Sequence, residues 1–160
     1  MHLQSAKNTL YSLRKLSIYT VSFFLFCSLT CLTLYFYSES EIIKAFMLTS
    51  SILGIFVLII DCVPSYHKIK AIDITILNQQ IPKADLSHIK TPSKKIQILS
   101  FVPVVSITLL IIAFSFDWVN LLGVLLAISL ISGIFLAFEL IQNYLLDIFC
   151  HEVEREVKKQ

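Results

Sequence analysis

The chain has little with which to turn. Three glycines and four prolines in 160 residues are too few turn formers for a compact all-β protein. Charge is scarce as well: Asp, Glu, Lys and Arg make up 15% of the residues, whereas 56% are hydrophobic. A soluble domain of this length has too much surface for its volume to hide that much apolar side chain. With a mean hydropathy of +0.79, hydrocarbon has to be the solvent for much of the chain. The four cysteines give no disulfide framework. Cys27 and Cys31 are four apart in one apolar run, a spacing that does not readily meet disulfide geometry, and Cys62 and Cys150 lie near the ends of other runs. No Asn-x-Ser/Thr sequon occurs, so nothing marks a glycosylated secretory protein.

Four apolar runs are present, and each is close to the roughly 20 residues needed to cross hydrocarbon. They cover 16–37, 42–63, 96–116 and 119–148, the last being apolar to about Phe138. In lipid each must be a helix, because every backbone N–H and C=O needs a partner within its own segment. The first run follows a basic segment, 1–15, with Lys7, Arg14 and Lys15. It is too long for the apolar part of a cleaved signal peptide and no small-residue cleavage site follows, so it reads as an uncleaved signal anchor.

Orientation follows from the placement of Lys and Arg. Three lie in the N-terminal segment, six in the loop 64–95 (Lys68, Lys70, Lys83, Lys90, Lys94 and Lys95) and three in the tail 149–160 (Arg155, Lys158 and Lys159). Only Lys44 of the thirteen falls on the other side. The sequence thus predicts an all-α membrane protein, a four-helix bundle with both termini in the cytoplasm. What faces outward is small, 38–41 and 116–120, with the acidic residues Glu39, Glu41 and Asp117. Tyr35, Tyr37 and Trp118 also stand where aromatic rings anchor a span at the interface.

In the inner loop, Ile69, Ile72 and Ile76 recur at helical spacing with Lys70 and Asp73 between them, which predicts a short amphipathic helix on the membrane surface. Pro82 interrupts it, and Thr91-Pro92 reads as an N-cap and first helical residue of the third span. Pro103 lies inside that span as a potential kink. The tail HEVEREVKKQ continues the fourth helix into the cytoplasm, with Glu154 and Lys158 in the favourable order four apart.

The fourth helix carries the clearest pattern. Ser129, Ser132, Glu139, Asn143, Asp147, Cys150 and Glu154 fall within about a quarter of its circumference, with Leu130, Ile134, Phe138, Ile141 and Leu145 opposite. The polar stripe is expected to face the bundle and the apolar one lipid. Ser129, Gly133 and Ala137, like Ser50 and Gly54 in the second helix, form small-residue ladders that predict close approach of helices two and four, within one copy or between copies of a homo-oligomer. Glu139 lies about twenty residues into its span, near the inner interface, within reach of headgroups, water or a loop lysine. Asp61, at the same level in helix two, reads as an interfacial charge near Lys68.

Motifs for chemistry are missing. The sequence has no Ser–His–Asp arrangement, no phosphate-cradling glycine loop and no His-Glu-x-x-His. Cys62, His67, Cys150 and His151 offer metal-type ligands but in no zinc spacing, so no catalytic residue, cofactor or metal site is expected and an enzyme is not. The six loop lysines, with no arginine and few aromatics, are explained by topology and anionic lipid, and direct sequence readout of nucleic acid is not expected. No internal repeat of the transporter kind is visible, and mid-depth positions of helices one and three hold only Ser, Thr and Cys, which disfavours a transporter or channel subunit.

Short outer loops, a charge-poor bundle and a moderate inner loop fit a protein that acts on another membrane component. In size and helix arrangement, including the basic leader with Arg14-Lys15 and the HEVEREVKKQ tail, the whole chain resembles prophage-encoded superinfection exclusion proteins of the bacterial inner membrane. The resemblance implies a phage-defence protein of the lipid bilayer that lets a second phage adsorb but keeps its DNA out of the cytoplasm. It implies contact with phage ejection proteins or a host inner-membrane protein, through bundle faces and the outer loops, where Glu39, Glu41, Asp117 and Trp118 would be the accessible determinants. An immunity protein against a pore-forming bacteriocin shares the same sparse design and stays open as the alternative.

Overall fold

The computed structural model describes residues 2–77, 93–116 and 118–157. These form five α-helices in chain order: α1 (His2–Tyr37), α2 (Glu41–Val57), α3 (Val63–Leu77), α4 (Ser93–Ser115) and α5 (Val119–Val157), with a π-helical turn (Leu58–Cys62) between α2 and α3. Four stretches are long and apolar enough to cross a membrane: Ser5–Tyr37, Glu41–Ile72, Lys94–Ser115 and Leu121–Arg155. The protein is a multi-pass, all-helical membrane protein. Its outer surface agrees: Phe26, Phe101, Phe114 and Tyr144 are each about two-thirds exposed, a density of bare aromatic surface that water would not tolerate.

Ser5 Oγ donates to Glu152 Oε1 at 2.5 Å and Thr9 Oγ1 to Glu152 Oε2 at 3.1 Å. The start of α1 and the end of α5 therefore lie side by side, so both termini are at one end of the bundle and the two tight connections, 38–40 and 116–118, are at the other. Residues 2–15 are part of α1, and the fourth spanning helix runs unbroken to Val157. Near the termini, Ala6, Leu10 and Leu13 of α1, Ile69 and Ile72 of α3, and Leu146, Phe149, Cys150 and Val153 of α5 form one buried cluster. Ile69 and Ile72 are thus the seam of a three-helix stem and not the underside of a helix lying on lipid. Their spacing announces an apolar face, which α1 and α5 cover before a membrane surface can. Asp73 and Ile76 have no described side-chain position, and Pro82, Thr91 and Pro92 lie outside the described residues.

The π turn has a cause in the sequence. Pro64 has no N–H to give the carbonyl four residues back, and its ring crowds that carbonyl. The helix relieves this one residue earlier by widening: Val63 N–H bonds Leu58 O, five residues back. A π turn shifts the register of the helix that follows, and here it carries Asp61 and Cys62.

A second buried cluster lies deeper in the membrane. Phe24, Cys62, Ile131 and Phe135 form it, with Val57, Leu99 and Phe138 packed around them. The Phe24 ring meets Phe135 edge-on with centroids 6.2 Å apart. α4 packs chiefly on α5, whereas α1, α2 and α5 all pack on one another. α4 is the outlying helix of the bundle.

Of the ladder glycines, Gly54 sits at a close helix contact and Gly133 does not, while Gly123, outside the ladders, sits at another. A Cβ on Gly54 would overlap Ser28 Oγ, so Gly54 marks the approach of α2 to α1. A Cβ on Gly123 would overlap the backbone carbonyl of Ile42 and come within 3.0 Å of Ala45 Cβ and Phe46 N, so α2 and α5 meet there. Gly133 has nothing within 4 Å of such an atom, and Ala137 is exposed. Ser50 is buried.

Candidate functional site

Four helices deliver polar side chains to one level of the bundle. Asp61 and Glu139 each lie about 20 residues from the tight-connection end of their helices, and Lys95 about 20 from the end of α4. At 1.5 Å per residue that is about 30 Å, the full hydrocarbon thickness. The cluster therefore sits where the termini-side hydrocarbon meets the headgroup layer, a depth at which a lysine can keep its charge.

Lys95 Nζ is 2.5 Å from Asp61 Oδ1 and 3.3 Å from Glu139 Oε1. One ammonium group thus serves two carboxylates from two other elements. It also stands over the Phe135 ring, 5.7 Å from the centroid, a cation–π contact that adds to its hold. The Asp61 and Lys95 side chains keep partial exposure, at 20% and 34%, whereas Glu139 is only 3% exposed. Glu139 Oε2 has no hydrogen-bond partner among the described residues.

Two spaces adjoin this group. A small polar pocket lies between α1, the π turn and α5, lined by Ser17, Thr20, Asp61, Cys62, Ser65, Glu139 and Gln142 beneath Phe135 and Phe138. On the other side of Asp61 and Lys95 is an apolar groove of about 390 Å³ between α2 and α4, lined by Phe56, Val57, Ile60, Ile98, Leu99 and Phe135. Phe56, Ile60 and Ile98 are more than half exposed, so the groove opens sideways toward lipid. It exists because α4 leans on α5 and leaves α2 uncovered, with the Lys95 pair closing it at the termini side.

Of the polar stripe on α5, Glu139 and Cys150 are the members taken inside. Ser129, Ser132 and Asn143 are half-buried and Asp147 is exposed but has a partner. The buried line on this helix is Ile131, Phe135, Glu139, Leu146, Phe149 and Val153, rotated toward apolar residues. Of the expected lipid face, Leu130 and Ile141 are exposed, but Ile134, Phe138 and Leu145 pack against the cores. Polarity misjudges the face because lipid tails are as apolar as the bundle interior, so an apolar side chain gains nothing by pointing outward. Ser132 needs no neighbouring helix, since it donates to Ile128 O in its own.

At the tight-connection end, Glu39 is exposed, Glu41 pairs with Lys44 at 3.4 Å, and Trp118 stacks on Phe116 with centroids 5.6 Å apart. Asp117 lies outside the described residues. No three His, Cys, Asp or Glu side chains converge as a metal centre among the described residues. Asp61 has Lys95 as its direct ion partner, with Lys68, to which the sequence points, as a further cation acting on it. No signal within helix two announces this, because the pairing depends on α5 bringing α4 to the π turn. Against protein-family models, curated proteins and solved structures, the chain has no match.

Proposed function

We propose that this is a multi-pass protein of the bacterial inner membrane, with both termini cytoplasmic, that acts in superinfection exclusion. In this reading it stops incoming phage DNA from reaching the cytoplasm by binding an ejection protein or a host inner-membrane protein within the bilayer. The observation that carries the reading is the lateral groove between α2 and α4. It is apolar, lies at membrane depth, opens toward lipid, and is of a size to seat one face of a helix. The twelve Lys and Arg on the termini side support the orientation through the positive-inside rule, and Glu39, Glu41, Asp117 and Trp118 remain the outward determinants.

Protection against a pore-forming bacteriocin would use the same groove against a toxin's membrane helices. One experiment separates the two. The chain is expressed in a sensitive bacterium that is challenged with phages and, separately, with pore-forming colicins. Exclusion predicts normal phage adsorption with loss of DNA delivery and of plaques, and full sensitivity to the toxins. Plaques at full efficiency together with survival of a colicin would replace exclusion by immunity.

A further inference from the structure

We propose that the pocket between α1, the π turn and α5 is a binding site for one sodium ion. The proposal stands apart from the exclusion reading and rests on three observations. The first is charge: with all three groups ionised, Asp61 and Glu139 outnumber Lys95 by one, and Lys68, which also acts on Asp61, is exposed and stands outside the cluster. A formal negative charge at the edge of hydrocarbon is costly unless something neutralises it. A single positive charge balances the site, whereas a divalent ion would overshoot by one.

The second observation is a pair of unpartnered oxygens on one pocket. Glu139 Oε2 and Ser17 Oγ are both buried without a hydrogen-bond partner, and both residues line it. Several hydroxyls in these helices satisfy themselves on the carbonyl four residues back, as Thr20, Ser106, Thr108 and Ser115 do. Ser17, like Ser28 and Ser50, does not, and of these three serines Ser17 is the one that lines the pocket. Thr20 Oγ1, with its proton given to Leu16 O at 2.8 Å, has lone pairs left to offer. Ser65 and Gln142 bring further oxygens. Hydroxyl, amide and carboxylate oxygens are the ligands that a hard cation takes.

The third is size. The pocket has about 10 Å³ for the centre of a water-sized body, the least that holds one such body. Sodium, smaller than water, fits. Potassium, of about the size of water, is at the limit. Asp61, at 20% exposure, leaves a way in from the headgroup side.

The test uses the full chain purified in detergent, with thermal unfolding followed in sodium, potassium and choline chloride at equal ionic strength. The melting temperature is expected to rise with sodium concentration, as for any ligand that binds the folded state alone, and to rise less in potassium. Glu139→Gln abolishes the sodium effect. Ser17→Ala, which removes one oxygen and no charge, raises the half-maximal sodium concentration roughly tenfold, the equivalent of one polar contact. Should Glu139→Gln not fold, Ser17→Ala carries the test alone. Equal melting temperatures in the three salts overturn the assignment and leave the pocket to a water or a proton on Glu139. A sodium effect unchanged in Ser17→Ala overturns it too, because the ion would then sit elsewhere.

Discussion

Lys95 at the start of α4 and Asp61 in the π turn approach to 2.5 Å, and this pair bridges the gap between α2 and α4. α4 rests mainly on α5, and Asp61 and Lys95 are the charged residues that line the groove beside it. Lys95 closes the termini-side end of the groove and in doing so reaches Glu139 as well.

Removing the ammonium is therefore worse than removing the whole group. Lys95→Met leaves Asp61 and Glu139 facing each other without a counter-charge. It is expected to destabilise the protein by roughly 3 kcal/mol, the low end for a broken buried pair because Lys95 and Asp61 keep some exposure even though Glu139 does not. The triple variant Lys95→Met, Asp61→Asn, Glu139→Gln is expected to recover most of that loss. Thermal unfolding of the purified proteins checks both. A triple variant no more stable than the single one would show that packing of the lysine stem, and not charge, is what matters.

The three glycines rank by what lies opposite them. Gly123→Ala drives a methyl into the backbone of α2 at Ile42 and Phe46, which cannot step aside, so it costs more than Gly54→Ala, where the obstacle is the rotatable hydroxyl of Ser28. Gly133→Ala meets nothing and gains helix propensity of about 1 kcal/mol. Melting temperatures are expected in the order Gly133→Ala, wild type, Gly54→Ala, Gly123→Ala. A Gly123→Ala protein as stable as wild type would contradict the α2–α5 contact.

The stem at the termini is held by burial. Phe149 is fully buried between α1, α3 and α5, and Phe149→Ala is expected to cost about 3–5 kcal/mol. Limited proteolysis should then cut α3 and the end of α5 while the spans stay intact. Unchanged protease resistance would mean that the three helices do not form a stem.

Sidedness is open to a reporter test. A fluorescent protein that matures only in the cytoplasm, fused after Gln160, is expected to fluoresce, and a periplasm-dependent phosphatase fused there to stay inactive. The opposite pair of results would invert the orientation read from the lysines.

The four spans were legible because length and charge placement are one-dimensional signals, and Lys, Arg, Asp and Glu seldom interrupt them. Glu139 also stood out, since a carboxylate that far into an apolar run is conspicuous by itself. Its surroundings were not legible. The pairing with Lys95 depends on how far α4 leans from α2, and Asp61 reaches it through a π turn that Pro64 provokes. The buried side of α5 is only partly legible in its polarity, with Glu139 and Cys150 inside and Leu130 and Ile141 outside, because in lipid the other apolar residues are free to face either way. Ile69 and Ile72 were correctly read as one face, but a periodicity does not say whether helices or headgroups cover it.

The groove between α2 and α4 is tested most directly by filling it. Ile60→Trp and Ile98→Trp place bulk in the groove, while Ile52→Trp and Ile111→Trp, on exposed faces outside the groove-lining set, serve as controls of equal size. Phage plating efficiency on cells with matched membrane levels of each variant is the measurement. The account predicts that the two groove variants lose exclusion and restore plaques, while the two controls still exclude. Exclusion retained by the groove variants, or lost equally in all four, would contradict it.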